Sequence, residues 1–331
     1  MKIVFRGGKP KYKQISDSVI EAIHKGHLKM DDVLPSVNEM CKKYSLSRDT
    51  VIKSYNELKN KGVITSAPGK GYYISGTATH IKRKVLIILD ELSDYKQILL
   101  KSLTENLSRF SSFEIVFHHH NRELFRRFIT ENSPNYSYLV VVLPLYDEVK
   151  QDVKLLKSKN VFIIDHAPGG IMGKYPGVYQ DYKNDVFNAL KSGTEAIKKY
   201  DRFVLVHSKY SYIVDGMIRG FREFCNSKNI QKEVMDNINT CPIQKNTLYL
   251  ILDNDDLIFF VKKIKKEKLT LGKDIGLISY NETPLKEIIA NGLSTISTDF
   301  NEMGRLVSEM IKNNDHSVVL NKSGLNTRDS I

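Results

Sequence analysis

The spacing of apolar and polar residues along the chain changes near residue 80. Before that point, apolar residues recur every three or four positions, which is the period of helices that bury one side. After it, short apolar runs alternate with helical patterns. Seven runs have the length of strands that are covered on both faces: Val85–Leu89, Phe113–Phe117, Leu139–Leu143, Val161–Ile164, Phe203–Val206, Leu248–Leu252 and Ile275–Ile278. The pattern predicts two domains, residues 1–80 and residues 81–331, and places the second in the α/β class.

The second domain contains more predicted strands than one small sheet would hold. Helical patterns at 95–109, 186–199 and 215–226 separate several of them, which is typical of doubly wound parallel sheets. We therefore expect two α/β lobes with a cleft between them. Ligands of such sheets bind beside the carboxyl ends of the strands, so the polar residues that follow the strands are candidate ligand contacts.

In the first domain, two short helices are predicted in succession. Ser36 and Glu39 have the spacing of a capping box, in which each side chain accepts a hydrogen bond from the backbone amide of the other. After a break at 45–46, Ser47 can cap a second helix. The apolar positions of that second helix are Val51, Tyr55 and Leu58. Two helices joined by so short a turn predict a helix-turn-helix, whose second helix reads the major groove of DNA.

A hairpin is predicted directly after the second helix. Gly62 ends the helix, and a turn at 67–71 joins two strand-like stretches, 63–65 and 72–74. A basic, glycine-rich tip in this position is typical of a wing that approaches DNA. The residues expected to contact bases or phosphates, or to let the backbone approach them, are Lys9, Lys11, Ser36, Asn38, Ser47, Arg48, Thr50, Lys53, Lys70 and Gly71.

These motifs resemble the winged helix-turn-helix of the GntR family of bacterial transcription regulators. The matching segments are consecutive and correctly spaced: Tyr12-x-Gln14-Ile15, Leu34-Pro35-Ser36, Leu46–Val51, Leu58–Ile64 and Gly69-Lys70-Gly71. The sequence departs from the family at Asn38, because the family usually has an arginine two residues after the Leu-Pro-Ser triplet. We therefore expect one phosphate or base contact to differ from the family pattern.

The distribution of charge agrees with a DNA-binding first domain. Residues 1–80 contain 14 Lys and Arg against 7 Asp and Glu, a net charge of +7 that leaves +5 of the total +12 for the other 251 residues. A basic patch of this kind favours a polyanionic partner. The three cysteines are isolated in the sequence, which is typical of a protein in the reducing cytoplasm, and no apolar run is long enough to span a membrane.

Polar and aromatic residues after the predicted strands have the chemistry of a sugar site. Carboxylates and amides bind hydroxyl groups, and aromatic rings stack on the apolar faces of a sugar ring. The candidate effector contacts are Asp90, Tyr95, His118, Asp165, His166, Asp181, Tyr212, Arg219, Asp255, Asn281 and Glu282. The spacing of the histidines at 118–120 does not suit a metal, and no phosphate-binding loop or nucleophile motif is present. We expect no cofactor, no metal and no enzymatic activity.

Residues 84–312 resemble the type I periplasmic-binding-protein-like sensor domain of the LacI family. The matching segments are Ile164-Asp165-His166, Asp181, Arg219–Arg222, Leu252–Asp255, Ile278–Glu282 and Thr298–Arg305. Two family contacts are replaced, since the sugar-clamping arginine is Met217 and the first of two paired aspartates is Asn281. A GntR head on a LacI-like sensor is similar to the arabinose-repressor type of regulator.

This combined resemblance implies a cytoplasmic homodimer that binds double-stranded operator DNA and represses genes of carbohydrate use. The implied effector is a pentose or deoxyhexose such as arabinose or fucose, either free or phosphorylated. Three alternatives stay open at this point: a regulator that senses a ligand other than a sugar, a sugar-modifying enzyme with a DNA-binding head, and an architectural DNA-binding protein. An enzyme would need a catalytic carboxylate or nucleophile pair, and an architectural protein would not need a polar cleft.

Overall fold

The computed structural model describes residues 3–5, 10–60, 62–69, 71–75, 83–108, 111–132, 136–156, 160–208, 211–240 and 243–331. The chain divides into two compact units, Met1–Lys84 with Arg109–Ser112, and Val85–Ser108 with Phe113–Ile331. The stretch at 76–80, where the sequence places the end of the first domain, lies outside the described residues, as do Lys9 and Lys70.

The first unit contains three helices followed by a hairpin. The helices are α1 (Lys11–His24), α2 (Val37–Tyr44) and α3 (Arg48–Asn60), and the hairpin strands are β1 (Ile64–Ala67) and β2 (Gly71–Ile74). The hairpin is antiparallel with Ile64 opposite Ile74, and the backbone of Leu34 donates to Tyr72 beside it. Val51, Tyr55 and Leu58 of α3 are fully buried. The predicted winged helix-turn-helix and the buried side of its second helix are therefore confirmed.

The second unit consists of two α/β lobes. The first lobe has a sheet of six strands in the order β13-β7-β6-β5-β3-β4. Its strands are β3 (Arg83–Leu89), β4 (Ser111–Phe117), β5 (Tyr138–Val141), β6 (Val161–Asp165), β7 (Gly177–Tyr179) and β13 (Val318–Leu320). Its helices are α4 (Asp94–Leu107), α5 (Arg122–Arg127), α6 (Val149–Asp152) and α12 (Phe300–Asn313). We call this lobe the N-lobe.

The second lobe, here called the C-lobe, repeats this plan with a sheet in the order β14-β12-β11-β10-β8-β9. Its strands are β8 (Arg202–Val206), β9 (Gln231–Met235), β10 (Thr247–Ile251), β11 (Gly276–Tyr280), β12 (Ser294–Thr298) and β14 (Ser323–Asn326). Its helices are α7 (Tyr182–Ser192), α8 (Thr194–Ile197), α9 (Tyr212–Lys228), α10 (Asn254–Lys266) and α11 (Pro284–Ile288). The seven runs predicted as strands all lie in these two sheets, and the two-lobed doubly wound fold is confirmed.

The chain crosses between the lobes at three places in the described residues: between β7 and α7, between β12 and α12, and between β13 and β14. In each lobe, one pair of helices packs closely because a glycine lies at the contact. A Cβ atom on Gly304 of α12 would lie 2.7 Å from the backbone nitrogen of Leu103 in α4, and a Cβ on Gly220 of α9 would collide with the carbonyl of Lys183 in α7. Glycine at these two positions lets the helix pairs α4–α12 and α7–α9 approach each other.

Candidate DNA interface and ligand cleft

The start of α3 is ordered by its own cap and by the preceding helix. The backbone amide of Thr50 donates to the Ser47 hydroxyl at 3.3 Å, and the hydroxyls of these two residues lie 2.7 Å apart. The capping box of α2 is also formed, with 2.7 Å from the Ser36 amide to the Glu39 carboxylate and 3.2 Å in the reverse direction. The side chains of Ser36 and Ser47 thus help to fix the two helix starts whose exposed surface would face DNA.

Two of the predicted DNA contacts lie next to each other on this surface. Arg48 at the start of α3 is exposed, and its guanidinium donates to the Asn38 side-chain oxygen at 3.5 Å. Asn38 is the position where the GntR pattern usually has arginine, so one fewer cation faces the same region. Lys53, one turn further along α3, is exposed with its ammonium 4.5 Å from the ring centre of Tyr12. Lys11 is exposed as well.

The tip of the hairpin has the backbone conformation that glycine permits. Gly69 and Gly71 both have a φ of +77°, in the left-handed region that side chains disfavour, and a Cβ on either would meet open space. Glycine is needed there for the turn itself, and the missing side chains leave the backbone accessible. Lys70 between them lies outside the described residues.

In the N-lobe, a buried ion pair lies where β3 ends. The Lys96 ammonium on α4 bonds both carboxylate oxygens of Asp90, and each of the two residues is 2% exposed. Burial alone would raise the pKa of Asp90, but the ammonium outweighs it and lowers that pKa. Asp90 was a predicted effector contact, whereas Lys96 was not predicted. Tyr95 next to Lys96 is half-buried and packs its ring on Phe300, with 4.6 Å between the ring centres.

The histidines around this ion pair have different surroundings. His118 is fully buried, with Nε2 3.1 Å from the carbonyl of Val142 and Nδ1 accepting from the amide of His120. Burial lowers the pKa of His118 to about 4, so its ring is neutral and fixes the turn after β4. Neither ring nitrogen is left for the effector contact that the sequence predicted. His120 is more exposed, and its Nε2 lies 3.9 Å from the Asp90 carboxylate.

Asp165 and His166 follow β6 and are both buried. The Asp165 carboxylate accepts hydrogen bonds from the Gln180 amide and from the Tyr182 hydroxyl, the latter at 3.1 Å. Gln180 in turn accepts a bond of 2.7 Å from Thr298, so two of the crossovers are joined. Predicted contact Asp165 is therefore part of a hydrogen-bonded hinge between the lobes. Burial lowers the pKa of His166 despite the opposing fields of Asp165 and Asp90.

On the C-lobe side, the turn after β11 contains two of the predicted contacts. Asn281 has a φ of +62°, and its side-chain oxygen is buried without a hydrogen-bond partner in the described part of the chain. Glu282 turns toward β12 and β14, where its carboxylate accepts bonds from Thr295 at 2.6 Å and Arg328 at 2.7 Å. Burial alone would raise the pKa of Glu282, but these two donors lower it.

The remaining predicted contacts lie on C-lobe helices or at their starts. Asp181 caps α7 through the amide of Asn184. Arg219 on α9 is exposed and pairs with Asp215 at 3.0 Å. Asp255 is exposed in the first turn of α10, whereas the next residue, Asp256, is buried and accepts a 2.6 Å bond from Ser208. Tyr212 begins α9, and its side chain lies outside the described structure.

A cavity of about 360 Å³ lies between the lobes, next to the crossovers. Ile98 of α4 and Phe300 of α12 form its N-lobe side, and Glu282 of the C-lobe is the one predicted effector contact in its lining. The other lining residues, which the sequence did not single out as contacts, are Ser297, Thr298, Asp299, Asn301, Lys322, Gly324 and Asn326. Hydroxyl, amide and carboxylate groups beside an aromatic ring give this cavity the chemistry expected of a site for a small polar ligand.

Within the described residues, no group of three His, Cys, Asp or Glu side chains is arranged to hold a metal ion. None of the helices described is both long and apolar enough to cross a membrane.

Comparison with known proteins assigns the first unit. Residues 11–74 match the family model described as bacterial regulatory proteins, gntR family. The first unit is thus a gntR-family DNA-binding domain. A search of curated protein sequences returned no significant match.

The fold of the second unit is that of LacI-type regulators. A LacI family transcriptional regulator from Silicibacter pomeroyi aligns with a TM-score of 0.62 and 11% identity, over 75% of this chain and 98% of that one. The lac repressor dimer bound to operator and the anti-inducer ONPF aligns with a TM-score of 0.61 and 11% identity, over 75% of this chain and 94% of that one. A periplasmic binding protein/LacI regulator from Alkaliphilus metalliredigens, complexed with D-xylulofuranose, aligns with a TM-score of 0.59 and 10% identity, over 75% of this chain and 99% of that one. The chain thus joins a unit that matches the gntR family model to a unit with the fold of LacI-type regulators.

Proposed function

We propose that this protein is a sugar-responsive transcriptional repressor that binds operator DNA as a homodimer. The observation that carries the proposal is the joining of two parts in one chain: a GntR unit with an exposed recognition-helix start, and a two-lobed sensor fold with a polar cavity between its lobes. Effector binding in the cleft alters the arrangement of the lobes, and the dimer transmits that change to the DNA-binding units. The ligand is a small sugar, and arabinose and fucose are the first candidates.

Dimerisation has a candidate surface on the C-lobe. Helices α10 and α11 follow adjacent strands and cross the sheet in the same direction, which places both on the same face. Four large apolar side chains stay exposed on these helices: Ile258 (52%), Phe259 (40%), Leu285 (59%) and Ile288 (74%). An apolar patch of this kind is typical of a protein interface. A second copy of the chain is the occupant we propose, since reading two half-sites requires two recognition helices.

The DNA-binding part of the proposal is tested by Arg48→Ala, with Arg48→Lys and Lys25→Ala as matched variants. DNA duplexes are first selected by the wild-type chain from a random-sequence library. Loss of the guanidinium fork at the start of α3 should weaken binding by roughly 1 to 3 kcal/mol per half-site if it contacts a base edge. Arg48→Lys keeps the charge but loses the fork. Lys25, paired with Glu21 at the end of α1, should be neutral. Unchanged binding by Arg48→Ala would contradict this interface.

The sensor part is tested by thermal unfolding against L-arabinose, L-fucose, D-xylulose and their phosphates. A ligand present at 100 times its dissociation constant stabilises the folded state by about 2.7 kcal/mol. A selective upward shift that also reduces DNA binding supports a sugar-responsive repressor. No shift with any member of the panel would remove these sugars as effectors, and a shift that strengthens DNA binding would reverse the sign of the proposed regulation.

A further inference from the structure

A lysine is buried in the C-lobe at the carboxyl end of β11. Lys286 on the short helix α11 is 3% exposed. Its ammonium donates to the carbonyl of Tyr280 at 2.7 Å and to the carbonyl of Asn281 at 2.9 Å. A lysine ammonium is strongly hydrated in water, and burial is unfavourable unless its donors are satisfied. Lys286 therefore has a specific role in holding this turn together.

The charges around Lys286 come from both lobes. The carboxylates whose fields act on it are Glu282 in the same turn, Asp253 after β10, and Asp94 at the start of α4 in the N-lobe. In the part of the chain that the structure describes, none of the three lies within ion-pairing distance of the ammonium. Two backbone carbonyls thus orient the Lys286 ammonium. The three carboxylates act on it only through their longer-range electrostatic fields.

The turn that Lys286 holds contains Asn281, which directly precedes Glu282 of the cavity lining but is not itself among the lining residues. The Asn281 amide donates to the carbonyl of Ile296 on β12 at 2.8 Å, and the Asn281 carbonyl accepts from Lys286. Both backbone polar groups are therefore engaged, in a residue with a φ of +62°. The side-chain oxygen, in contrast, is buried and has no partner among the described residues. A buried amide oxygen without a donor is unfavourable, and a ligand hydroxyl would satisfy it.

We propose that Lys286 is a positioning residue of the effector site. By bonding the carbonyls of Tyr280 and Asn281, its ammonium keeps Asn281 in the left-handed conformation that presents the side-chain amide to a hydroxyl of the effector. The effector it serves is a polyhydroxyl compound with a hydroxyl that donates to the Asn281 oxygen. This inference rests on the proposed function, since it needs a ligand in the cleft.

An apolar side chain of similar length could fill the volume of Lys286 but could not hold the turn. Methionine in its place would leave two carbonyls at the end of β11 without their donor, and these carbonyls belong to the residues that define the turn. The left-handed conformation of Asn281 would then be supported on one side only, by the bond to β12.

The test is a double-mutant cycle on the full chain with Lys286→Met, Asn281→Ala and the double variant. The probe is whichever of L-arabinose, L-fucose and D-xylulose shifts the melting temperature of the wild type most, and affinity is measured by calorimetry. Lys286→Met is expected to weaken binding about tenfold, equivalent to 1.4 kcal/mol, and Asn281→Ala by a similar factor. If Lys286 acts through Asn281, the double variant should be no weaker than Asn281→Ala alone. Lys191→Met, at an exposed position of α7, is the matched control and should bind as the wild type does.

A second measurement separates positioning from general destabilisation and does not depend on the ligand. Hydrogen exchange of the peptide covering residues 279–283 is compared in the ligand-free wild type, Lys286→Met and Lys286→Arg. Faster exchange in Lys286→Met, confined to this peptide and reversed in Lys286→Arg, supports positioning. Additive losses in the cycle, or unchanged exchange in Lys286→Met, would overturn it. If no sugar binds the wild type, the proposed sugar response fails, and the exchange data still decide whether Lys286 holds the turn.

Discussion

Each lobe contains a buried lysine beside the carboxyl end of a strand, but the two lysines are held differently. In the N-lobe, both carboxylate oxygens of Asp90 bond the ammonium of Lys96. In the C-lobe, Lys286 bonds two carbonyls, and burial lowers its pKa to about 8. The buried lysine of the N-lobe is thus compensated by a carboxylate. The buried lysine of the C-lobe has no ion-pair partner among the described residues, and its burial favours the uncharged amine.

This difference suggests that one buried charge serves the stability of the fold and the other serves effector binding. A buried pair with hydrogen-bonded partners is strongly disrupted when one partner is removed, because the other charge is left without compensation. A buried charge without an ion-pair partner already makes the fold less stable, and such strain tends to be found at functional sites. We therefore expect the Asp90–Lys96 pair to contribute mainly to the stability of the N-lobe, and Lys286 to act in effector binding as proposed above.

The largest effect should come from breaking the N-lobe pair. Asp90→Asn leaves the Lys96 ammonium buried beside a neutral amide, so we expect the sensor unit to lose about 3 to 5 kcal/mol of stability. The measurement is urea unfolding of the full chain at neutral pH, followed by circular dichroism. The double variant Asp90→Asn/Lys96→Met removes both charges and should recover much of the loss. A double variant as unstable as Asp90→Asn would mean that the pair is not the cause.

Replacing a buried carboxyl that has no ion-pair partner among the described residues should stabilise the protein, whereas Asp90→Asn should destabilise it. Asp185, near the start of α7, is 8% exposed, and burial together with the field of Asp181 raises its pKa to about 7. The folded state holds this proton more tightly than the unfolded chain does. The stability that the proton provides is therefore present at low pH and is lost as the pH rises toward 7 and above.

Replacing this carboxyl should stabilise the protein above pH 7. Between pH 5 and pH 8 the wild type should lose roughly 2 to 3 kcal/mol through Asp185, and Asp185→Asn should abolish that loss. Melting temperatures of the wild type and the variant at both pH values test this. Glu195→Gln, which removes an exposed carboxyl of α8, is the control and should keep the pH dependence of the wild type. A pH dependence that is equal in Asp185→Asn and the wild type would refute the assignment.

Most of the two sheets could be predicted because their strands are continuous apolar runs. The strand β12 (Ser294–Thr298) was missed because it is buried yet rich in serine and threonine. Its hydroxyls bond other side chains and the backbone: Thr295 bonds Glu282, and Thr298 bonds Gln180. The edge strand β9 (Gln231–Met235) was missed because it is largely polar. Long-range partners such as these cannot be inferred from local periodicity.

The helix caps and the hairpin turn of the first unit were predictable residue by residue, whereas the cleft was predictable only as a region. Capping and turn chemistry are local, so Ser36, Ser47 and Gly71 could be assigned from their neighbours in sequence. The two buried lysines lie on helices, where an isolated lysine usually indicates a solvated surface. Only the fold shows that a carboxylate lies beside Lys96 and that two carbonyls lie beside Lys286.

The smallest effect is the titration of Lys286. Because burial lowers its pKa from 10.5 to about 8, the folded state loses this proton at a lower pH than the unfolded chain does. Stability should therefore rise with pH through the folded pKa, by roughly 1 kcal/mol between pH 7 and pH 9. The charged groups whose fields act on Lys286 are the carboxylates of Glu282, Asp94 and Asp253.

Effector affinity should move in the opposite direction over the same range. An uncharged amine donates more weakly to the carbonyls of Tyr280 and Asn281, so the turn loosens while the fold becomes more stable. Melting temperature and calorimetric affinity, both measured from pH 7 to pH 9, should diverge in the wild type and in Lys191→Met but not in Lys286→Met. If melting temperature and effector affinity changed in parallel, Lys286 would not favour effector binding over stability, and its contrast with the Asp90–Lys96 pair would be wrong.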